Sequence, residues 1–215
     1  MKKKIKILAL SHVFVKKINL SFYENLAKNC NLDITCVAPY YIKNSNKKVY
    51  SDFKTYDGKI KVKKCKIRNN IPRYQYFKKI KNLIKKEKPN HIILDNDTVS
   101  VQSIILIFYS FFFKFDIYFF CNENDLKNII LKFFFKKFCK LIILYILNFL
   151  IKNKVKKIFC YSRQIKENYD LLGYKNKTVL ISLGYDEKFF FTKRTNKNKN
   201  NLIISYFGRI RYEKG

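Results

Sequence analysis

Residues 91–121 read HIILDNDTVSVQSIILIFYSFFFKFDIYFFC, and the fold class follows from this segment. The apolar runs at 91–94 and 116–121 predict two buried strands, and the apolar segment 99–113 between them predicts a helix. Two strands connected through a helix are expected to pair in parallel. Other apolar runs predict further strands at 4–10, 33–38, 59–67, 156–161, 178–182 and 202–207. The sequence therefore predicts the α/β class, with a Rossmann-like and mostly parallel sheet flanked by helices.

The segments between these strands predict the remaining elements. Apolar residues at helical spacing predict helices at 18–29, 74–86 and 126–151. Ser162 is expected to cap a further helix, which ends at residue 172 with Gly173 as its stop. The polar segment 43–58 predicts a loop.

The positive charge of the chain favours anionic partners. The 215 residues include 46 Lys and Arg against 15 Asp and Glu, a formal net charge of +31. Such a surface attracts phosphorylated ligands, anionic lipids or nucleic acid. The basic residues are spread along the whole chain, and no RNP-like, KH or OB signature is present, so nucleic acid is not expected as a partner. An excess of Lys and Asn is also typical of AT-rich coding sequence, which weakens the charge as functional evidence.

Cysteine usage indicates a reducing compartment. The six cysteines form no CxxC pair and lie far from the two histidines, so a zinc site is not expected. Four of them stand inside apolar runs and are predicted to be reduced core residues of a cytoplasmic protein: Cys36, Cys121, Cys139 and Cys160. The longest uncharged stretch, 98–113, is shorter than the ~20 residues of a spanning helix, and the basic N-terminus precedes an apolar run too short for a signal peptide.

Polar residues gather after four of the predicted strands, where a parallel sheet places its ligand crevice. The clusters are Ser11 with His12, Asp-Asn-Asp at 95–97, Asn-Glu-Asn-Asp at 122–125, and Ser162 with Arg163. The alternative for each cluster is that its polar side chains only cap the helix that follows.

Two segments near the end of the chain carry motifs that indicate one family within the α/β class. Residues 178–190 read TVLISLGYDEKFF, and residues 202–215 read LIISYFGRIRYEKG. The ordered set of Gly-Tyr-Asp at 184–186, Gly-Arg at 208–209 and Lys-Gly at 214–215 resembles the family 4 glycosyltransferases. These are retaining enzymes of GT-B fold that use nucleotide sugars. Residues 1–150 match this family only in their rhythm of strands and helices.

The resemblance implies transfer of a sugar, with retention, from a nucleotide-sugar donor to a hydroxyl acceptor on a lipid-linked or cell-envelope glycan. In the family the Arg and Lys at these motif positions contact the donor diphosphate. Arg209 and Lys214 are therefore predicted to bind the diphosphate, with Gly208 and Gly184 in the turns beside the donor. Neither a cofactor nor a metal ion is expected, because the Asp-Asn-Asp of 95–97 follows a strand of the acceptor half.

The chain departs from the family pattern at three places. Ser11 and His12 replace a Gly-rich turn after the first strand, and Asn122 and Glu123 stand where many members have a His near the acceptor. We take His12, Asn122 and Glu123 as candidate catalytic residues, with a structural role as the alternative for His12. The Glu-rich motif of the second GT-B domain does not follow Lys214.

This last departure shapes the expected domain organisation. Residues 1–195 are expected to form the acceptor-side domain, with about six or seven strands. Residues 196–215 are expected to hold the linker and the first strand and loop of the nucleotide-sugar domain. The chain is accordingly expected to be a fragment, or to have its second half on a separate polypeptide, and to lack most of the donor site by itself.

The predicted helix 126–151 indicates a membrane partner. Its Lys132, Lys136, Lys137 and Lys140 lie on one side, and three Phe residues lie on the other. This arrangement predicts peripheral attachment to the anionic inner face of the membrane, and the alternative is a core helix with one solvated side. A competing interpretation of the whole chain is a non-enzymatic, cationic Rossmann-like module that binds a membrane surface or a partner chain.

Overall fold

The computed structural model describes residues 4–44, 47–69, 74–122 and 149–182. Seven strands form one sheet in which every neighbouring pair is parallel. In chain order they are β1 (Ile5–Leu10), β2 (Leu32–Pro39), β5 (Lys61–Cys65), β8 (His91–Asp95), β9 (Asp116–Cys121), β10 (Val155–Cys160) and β11 (Thr178–Leu180). The predicted α/β class with a Rossmann-like parallel sheet is confirmed.

The strand order across the sheet is β11-β10-β9-β8-β1-β2-β5. The chain therefore starts in the middle with β1, proceeds to one edge through β2 and β5, and then returns to the other side of β1 with β8. This is the doubly wound order, and the direction of winding reverses between β1 and β8. In such sheets the ligand crevice lies beyond the carboxyl ends of the two strands at the reversal.

Helices cover both faces of the sheet. Successive residues of a strand point to opposite faces, and apolar side chains on both faces need to be buried. Leu8 and Ile92 belong to a core cluster that includes residues of α2 (Ile80–Glu87), α3 (Val101–Ser110) and α4 (Arg163–Tyr169). Ile7 and Ile93, their neighbours in the chain, belong to the cluster on the other face, which packs against α1 (Ser21–Asn29). A sheet buried on both faces explains why its strands read as nearly continuous apolar runs.

Several boundaries differ from the sequence predictions for local reasons. The segment 43–58, expected to be a loop, takes part in a hairpin of β3 (Tyr41–Asn44) and β4 (Lys47–Tyr50). The helix predicted at 74–86 begins only at Ile80, because residues 76–77 form the short strand β7 (Tyr76–Phe77), which pairs with β6 (Ile67–Arg68). The helix predicted at 18–29 begins at Ser21, after two 3₁₀ turns at His12–Val15 and Lys17–Leu20.

The predicted caps of the last described helix are confirmed. The Ser162 hydroxyl accepts a hydrogen bond from the backbone N–H of Ile165 at 3.2 Å. A π-helical turn, Asp170–Tyr174, extends the helix, and Gly173 ends it in the left-handed region with φ of +88°. The helix predicted at 126–151 lies outside the described residues except at its end, where residues 149–154 are helical.

The buried cysteines follow the sequence prediction where they are described. Cys36, Cys121 and Cys160 are free thiols in the core, while Cys139 lies outside the described ranges. Burial raises the pKa of the Cys160 thiol to about 11, and it raises the pKa of Cys121 as well. Neutral thiols are poor nucleophiles, so these residues act as apolar packing groups. Within the described ranges, no helix has the length and apolar character needed to span a bilayer.

Candidate functional site

The site lies at the carboxyl ends of β1 and β8, where the winding of the sheet reverses. Leu10 pairs with Leu94 at the ends of these strands, so Ser11 and Asp95 follow side by side. Ser11 is buried, and its hydroxyl caps the 3₁₀ turn that lies between β1 and α1. Because this turn is short and contains no glycine, the chain has no Gly-rich loop for phosphate at this position.

Asp95 is the central charged group of this site. Its Oδ2 accepts a hydrogen bond from the Ser11 hydroxyl at 2.7 Å, and its Oδ1 accepts one from the Asn122 amide at 3.3 Å. Asn122 directly follows β9, so three adjacent strand ends contribute to one carboxylate. A carboxylate has about four lone-pair positions, and these bonds use one on each oxygen. Asp95 therefore keeps capacity to accept hydrogen bonds from a ligand.

His12 and Asp95 influence each other electrostatically. Burial lowers the pKa of the His12 imidazole, and the negative charge of Asp95 opposes that shift in part. Burial raises the pKa of Asp95, while the Ser11 hydrogen bond and the nearby His12 lower it. At neutral pH a neutral imidazole therefore lies close to a partly buried carboxyl group. Such a pair can accept a proton from a bound hydroxyl.

Tyr161 belongs to the surroundings of the same carboxylate. It follows β10, and its ring stacks on Phe120 with centroids 6.0 Å apart. Burial, followed by the negative charge of Asp95, raises the pKa of Tyr161 to about 12. Its hydroxyl is therefore protonated at all physiological pH values.

The polar residues that follow Asp95 have structural partners instead. Asn96 accepts a hydrogen bond through Oδ1 from the backbone N–H of Asp97 at 2.9 Å. Asp97 is buried, and its Oδ1 accepts one from the N–H of Val99 at 3.0 Å. These bonds form the turn that leads into α3. Asn96 and Asp97 therefore have the structural role that was the alternative for this cluster. Among the described residues, no group of three or more His, Cys, Asp or Glu side chains is placed to hold a metal ion.

A small cavity of about 20 Å³ lies beneath the site. Ser11, His12 and Asp95 form part of its wall, and Phe77 and Gln102 form another part. A volume of this size accommodates about one water molecule or one group of similar size.

The structure thus brings two of the sequence-predicted site residues together and leaves the others untested. His12 and Asn122 lie on opposite sides of Asp95 at the sheet reversal. The remaining predicted site residues lie outside the described ranges: Glu123, Gly184, Gly208, Arg209 and Lys214. The same holds for the predicted domain boundary at residue 195.

Sequence reasoning missed Asp95 as the central residue, although it noted the cluster at 95–97. The missing information was the strand order, since the two clusters with carboxylate and amide side chains, at 95–97 and 122–125, looked equivalent along the chain. The β1 strand is the usual start of a doubly wound sheet, and the strand that returns beside it carries the reversal. A prediction from the sequence that β8 pairs with β1 would have placed Asp95 beside Ser11.

Comparisons with known proteins add little to this geometry. No family model matches the chain, and no curated protein matches it. Over 82% of its length the chain is similar to 44% of a putative UDP-N-acetylglucosamine 2-epimerase from Listeria monocytogenes, with 13% identity and a TM-score of 0.48. The chain thus spans less than half of that protein. An isochorismatase-like hydrolase from Alkaliphilus metalliredigens is similar over 83% of this chain and 93% of its own, with 7% identity and a TM-score of 0.35. Both TM-scores are below 0.5, so neither similarity bears on function.

Proposed function

We propose that this chain is the acceptor-side domain of a retaining glycosyltransferase that uses a nucleotide sugar. One observation carries the proposal: a partly buried carboxylate, Asp95, is held by Ser11 and Asn122 beside His12 at the reversal of the sheet. Sugar acceptors are recognised through hydroxyl groups, and a carboxylate with free lone pairs is a suitable partner for them. The Gly-Arg and Lys-Gly motifs near the end of the chain supply the family part of the proposal.

The reaction assigns a distinct task to each half of such an enzyme. A second hydroxyl of the acceptor donates a hydrogen bond to Asp95, which fixes the reacting hydroxyl in position. The oxygen of the reacting hydroxyl forms the bond to the anomeric carbon on the same face from which the phosphate leaves, while the bond from this carbon to the phosphate breaks, so the configuration is retained. The hydroxyl proton passes to the neutral imidazole of His12. Arg209 and Lys214 neutralise the charge that develops on the leaving diphosphate.

The test is sugar transfer in the presence of the second Rossmann-like domain that the proposal requires, either on a longer form of this chain or on a separate polypeptide. Transfer is measured from radiolabelled UDP- and GDP-sugars into lipid-linked and glycan fractions. Asp95→Asn keeps the size of the side chain and removes its charge, and it should lower transfer by about 100-fold.

Asp33→Asn is the matched control for this substitution. Asp33 lies near the amino end of β2, where it pairs with Lys61 at 3.0 Å. It stands at the amino ends of the parallel strands, whereas the site lies at their carboxyl ends, so its loss should leave transfer unchanged. Transfer that is equally fast in the Asp95→Asn protein would contradict the proposed function.

A second candidate function is attachment to an anionic membrane without catalysis. The observation that favours it is a set of exposed aromatic rings at the end of α3: Phe108, Phe111 and Phe112 are between 56% and 68% exposed. Lys154 lies over the ring of Phe111, 4.4 Å from its centroid. Aromatic side chains beside lysines are typical of surfaces that bind the interface of anionic lipids.

This candidate is tested by sedimentation with vesicles. Binding to phosphatidylglycerol vesicles should weaken at high salt, because screening shortens the reach of the charges. Phe111→Ser with Phe112→Ser should reduce it, whereas Leu171→Ser, an exposed apolar residue elsewhere, should not. Salt-independent binding to neutral vesicles would contradict this candidate.

A further inference from the structure

Gln102 has an amide group whose donor end has no protein partner. The side chain is only 2% exposed, and it lines the cavity beneath Asp95. Its Oε1 accepts a hydrogen bond from the backbone N–H of Phe77 at 2.8 Å, while its Nε2 has no hydrogen-bond partner among the described residues. Because a backbone N–H can only donate, this bond fixes which end of the amide is the oxygen. The two N–H donors of Nε2 are therefore the end that remains to be satisfied.

A buried donor without a partner is costly, so a group in the cavity is expected to accept from it. Asp95 also forms part of the wall of this cavity. An ionised carboxylate accepts hydrogen bonds and cannot donate them. A group that satisfies both must accept from Gln102 and donate to Asp95. A hydroxyl group does both, whether it belongs to a water molecule or to the tip of a larger molecule. A carboxylate or phosphate is repelled by Asp95, and an ammonium group leaves Gln102 without an acceptor.

We infer that this cavity is a subsite for one hydroxyl of the sugar acceptor, with Gln102 as a specificity-determining residue. This inference rests on the proposed function and deepens it. The volume of about 20 Å³ admits a single hydroxyl at the tip of a larger molecule, and nothing as large as a sugar ring. The ring itself lies outside the cavity, near His12 and Asn122. Recognition then depends on which hydroxyl of the acceptor reaches inward.

The experiment uses ligand-observed NMR with this chain and the methyl glycosides of glucose, galactose and mannose. Each glycoside is compared with analogues that lack one hydroxyl. For at least one glycoside, a single deoxy analogue should bind about tenfold or more weakly than its parent, because the missing hydroxyl leaves buried groups unpaired. Gln102→Met should bind that parent and that analogue with equal affinity.

A second variant and a control separate this effect from a damaged fold. Gln102→Glu keeps an oxygen that can accept from the Phe77 N–H but removes both Nε2 donors, and it should also lose the preference. Gln164→Glu makes the same chemical change at an exposed position of α4 and should retain it. Circular dichroism and thermal unfolding establish that each variant is folded.

Three results would overturn the subsite. They are the absence of any glycoside binding, equal binding of every parent and its deoxy analogues, and a preference that survives in both Gln102 variants. The last two would indicate that the cavity holds water alone. The transfer assay with Asp95→Asn is independent of these measurements. Transfer that depends on Asp95, without a preference that depends on Gln102, would overturn the subsite and leave the proposed function standing.

Discussion

The Ser11 hydroxyl donates to Oδ2 of Asp95 at 2.7 Å, although the two residues are 84 positions apart in the chain. The contact exists because β1 and β8 are neighbours in the sheet and end in register. No local signal in the sequence connects these residues. The site therefore depends on the strand order. The electrostatic interaction between Asp95 and His12 in this arrangement can be tested by titration.

The first prediction concerns the titration of His12. The chain contains two histidines, so their imidazole signals can be followed separately by NMR. Because burial lowers the pKa of His12, one signal should titrate below 6.5. Asp95→Asn removes the negative charge that opposes this shift, so it should lower the pKa of His12 further.

Asp116→Asn is the control for this titration. Asp116 lies at the amino end of β9, with its carboxylate 3.5 Å from Nδ1 of the other histidine, His91. The substitution should leave the His12 titration unchanged. An increase in the pKa of His12 in the Asp95→Asn protein would show that the two groups do not interact as described.

The second prediction concerns the dependence of stability on pH. The pKa of Asp95 is raised above 3.8, so the folded protein holds its proton at pH values where the unfolded chain has released it. The free energy of unfolding therefore falls as the pH rises from 3.8 through the raised pKa. Asp95→Asn removes this contribution, and the variant should be at least as stable as the wild type at pH 7 by urea denaturation.

Asp170→Asn should have the opposite effect. Burial raises the pKa of Asp170, but hydrogen bonds from Lys166 and Thr178, each 2.5 Å long, outweigh it and leave the pKa lowered. This group stabilises the folded state above pH 3.8, and the stabilisation is lost as the pH falls through the lowered pKa. The variant should be less stable than the wild type at pH 7, with a difference that shrinks as the pH falls below 3.8. Equal pH dependence of the two variants would contradict both assignments.

The sequence predicts those elements of the fold whose patterns lie within one segment of the chain. The strand at 116–121 and the cap at Ser162 were predicted because their patterns are local: an apolar run and a hydroxyl before a helix. The hairpin of β3 and β4 was missed because the sequence from 43 to 48 is entirely polar and each strand is only four residues long. The short strand β7 was missed because helical periodicity across 74–86 concealed a two-residue pairing with β6.

The candidate site divides in the same way. His12 and Asn122 were predicted because they stand after strands, at positions to which the resemblance to the family 4 glycosyltransferases assigns a site. Asp95 was not chosen, since its importance comes from the neighbours that the sheet gives it. Gln102 has no sequence signal at all. It lies within an apolar helix, and only the tertiary contact with Phe77 fixes its orientation and leaves its amide nitrogen facing no protein acceptor.

The third prediction concerns Gly173, which ends the last described helix. Its φ of +88° is unfavourable for residues that have a Cβ atom. A Cβ at this position would meet only the end of the flexible Lys152 side chain, at 2.9 Å, so the backbone conformation dominates the cost. Gly173→Ala should lower the free energy of unfolding by about 1 kcal/mol. Leu171→Ala, at an exposed residue of the same turn, should change it by less than ~0.5 kcal/mol. Equal effects of the two substitutions would contradict the backbone argument.

The last prediction concerns Arg209, whose role rests on the Gly-Arg motif and the proposed function. Breaking the bond between sugar and phosphate adds negative charge to the leaving oxygen, and a guanidinium placed beside it lowers the barrier. Removing one such donor costs ~3 kcal/mol, so Arg209→Ala should reduce transfer by about 100-fold at saturating donor. Arg209→Lys should restore only part of the rate, because an ammonium keeps the charge but loses the two-pronged hydrogen bonding of the guanidinium. Arg211→Ala, two positions further along, removes the same charge outside the motif and should leave the rate unchanged. Equal loss of transfer in the Arg209→Ala and Arg211→Ala proteins would show that general basicity, and not the motif, supports the reaction.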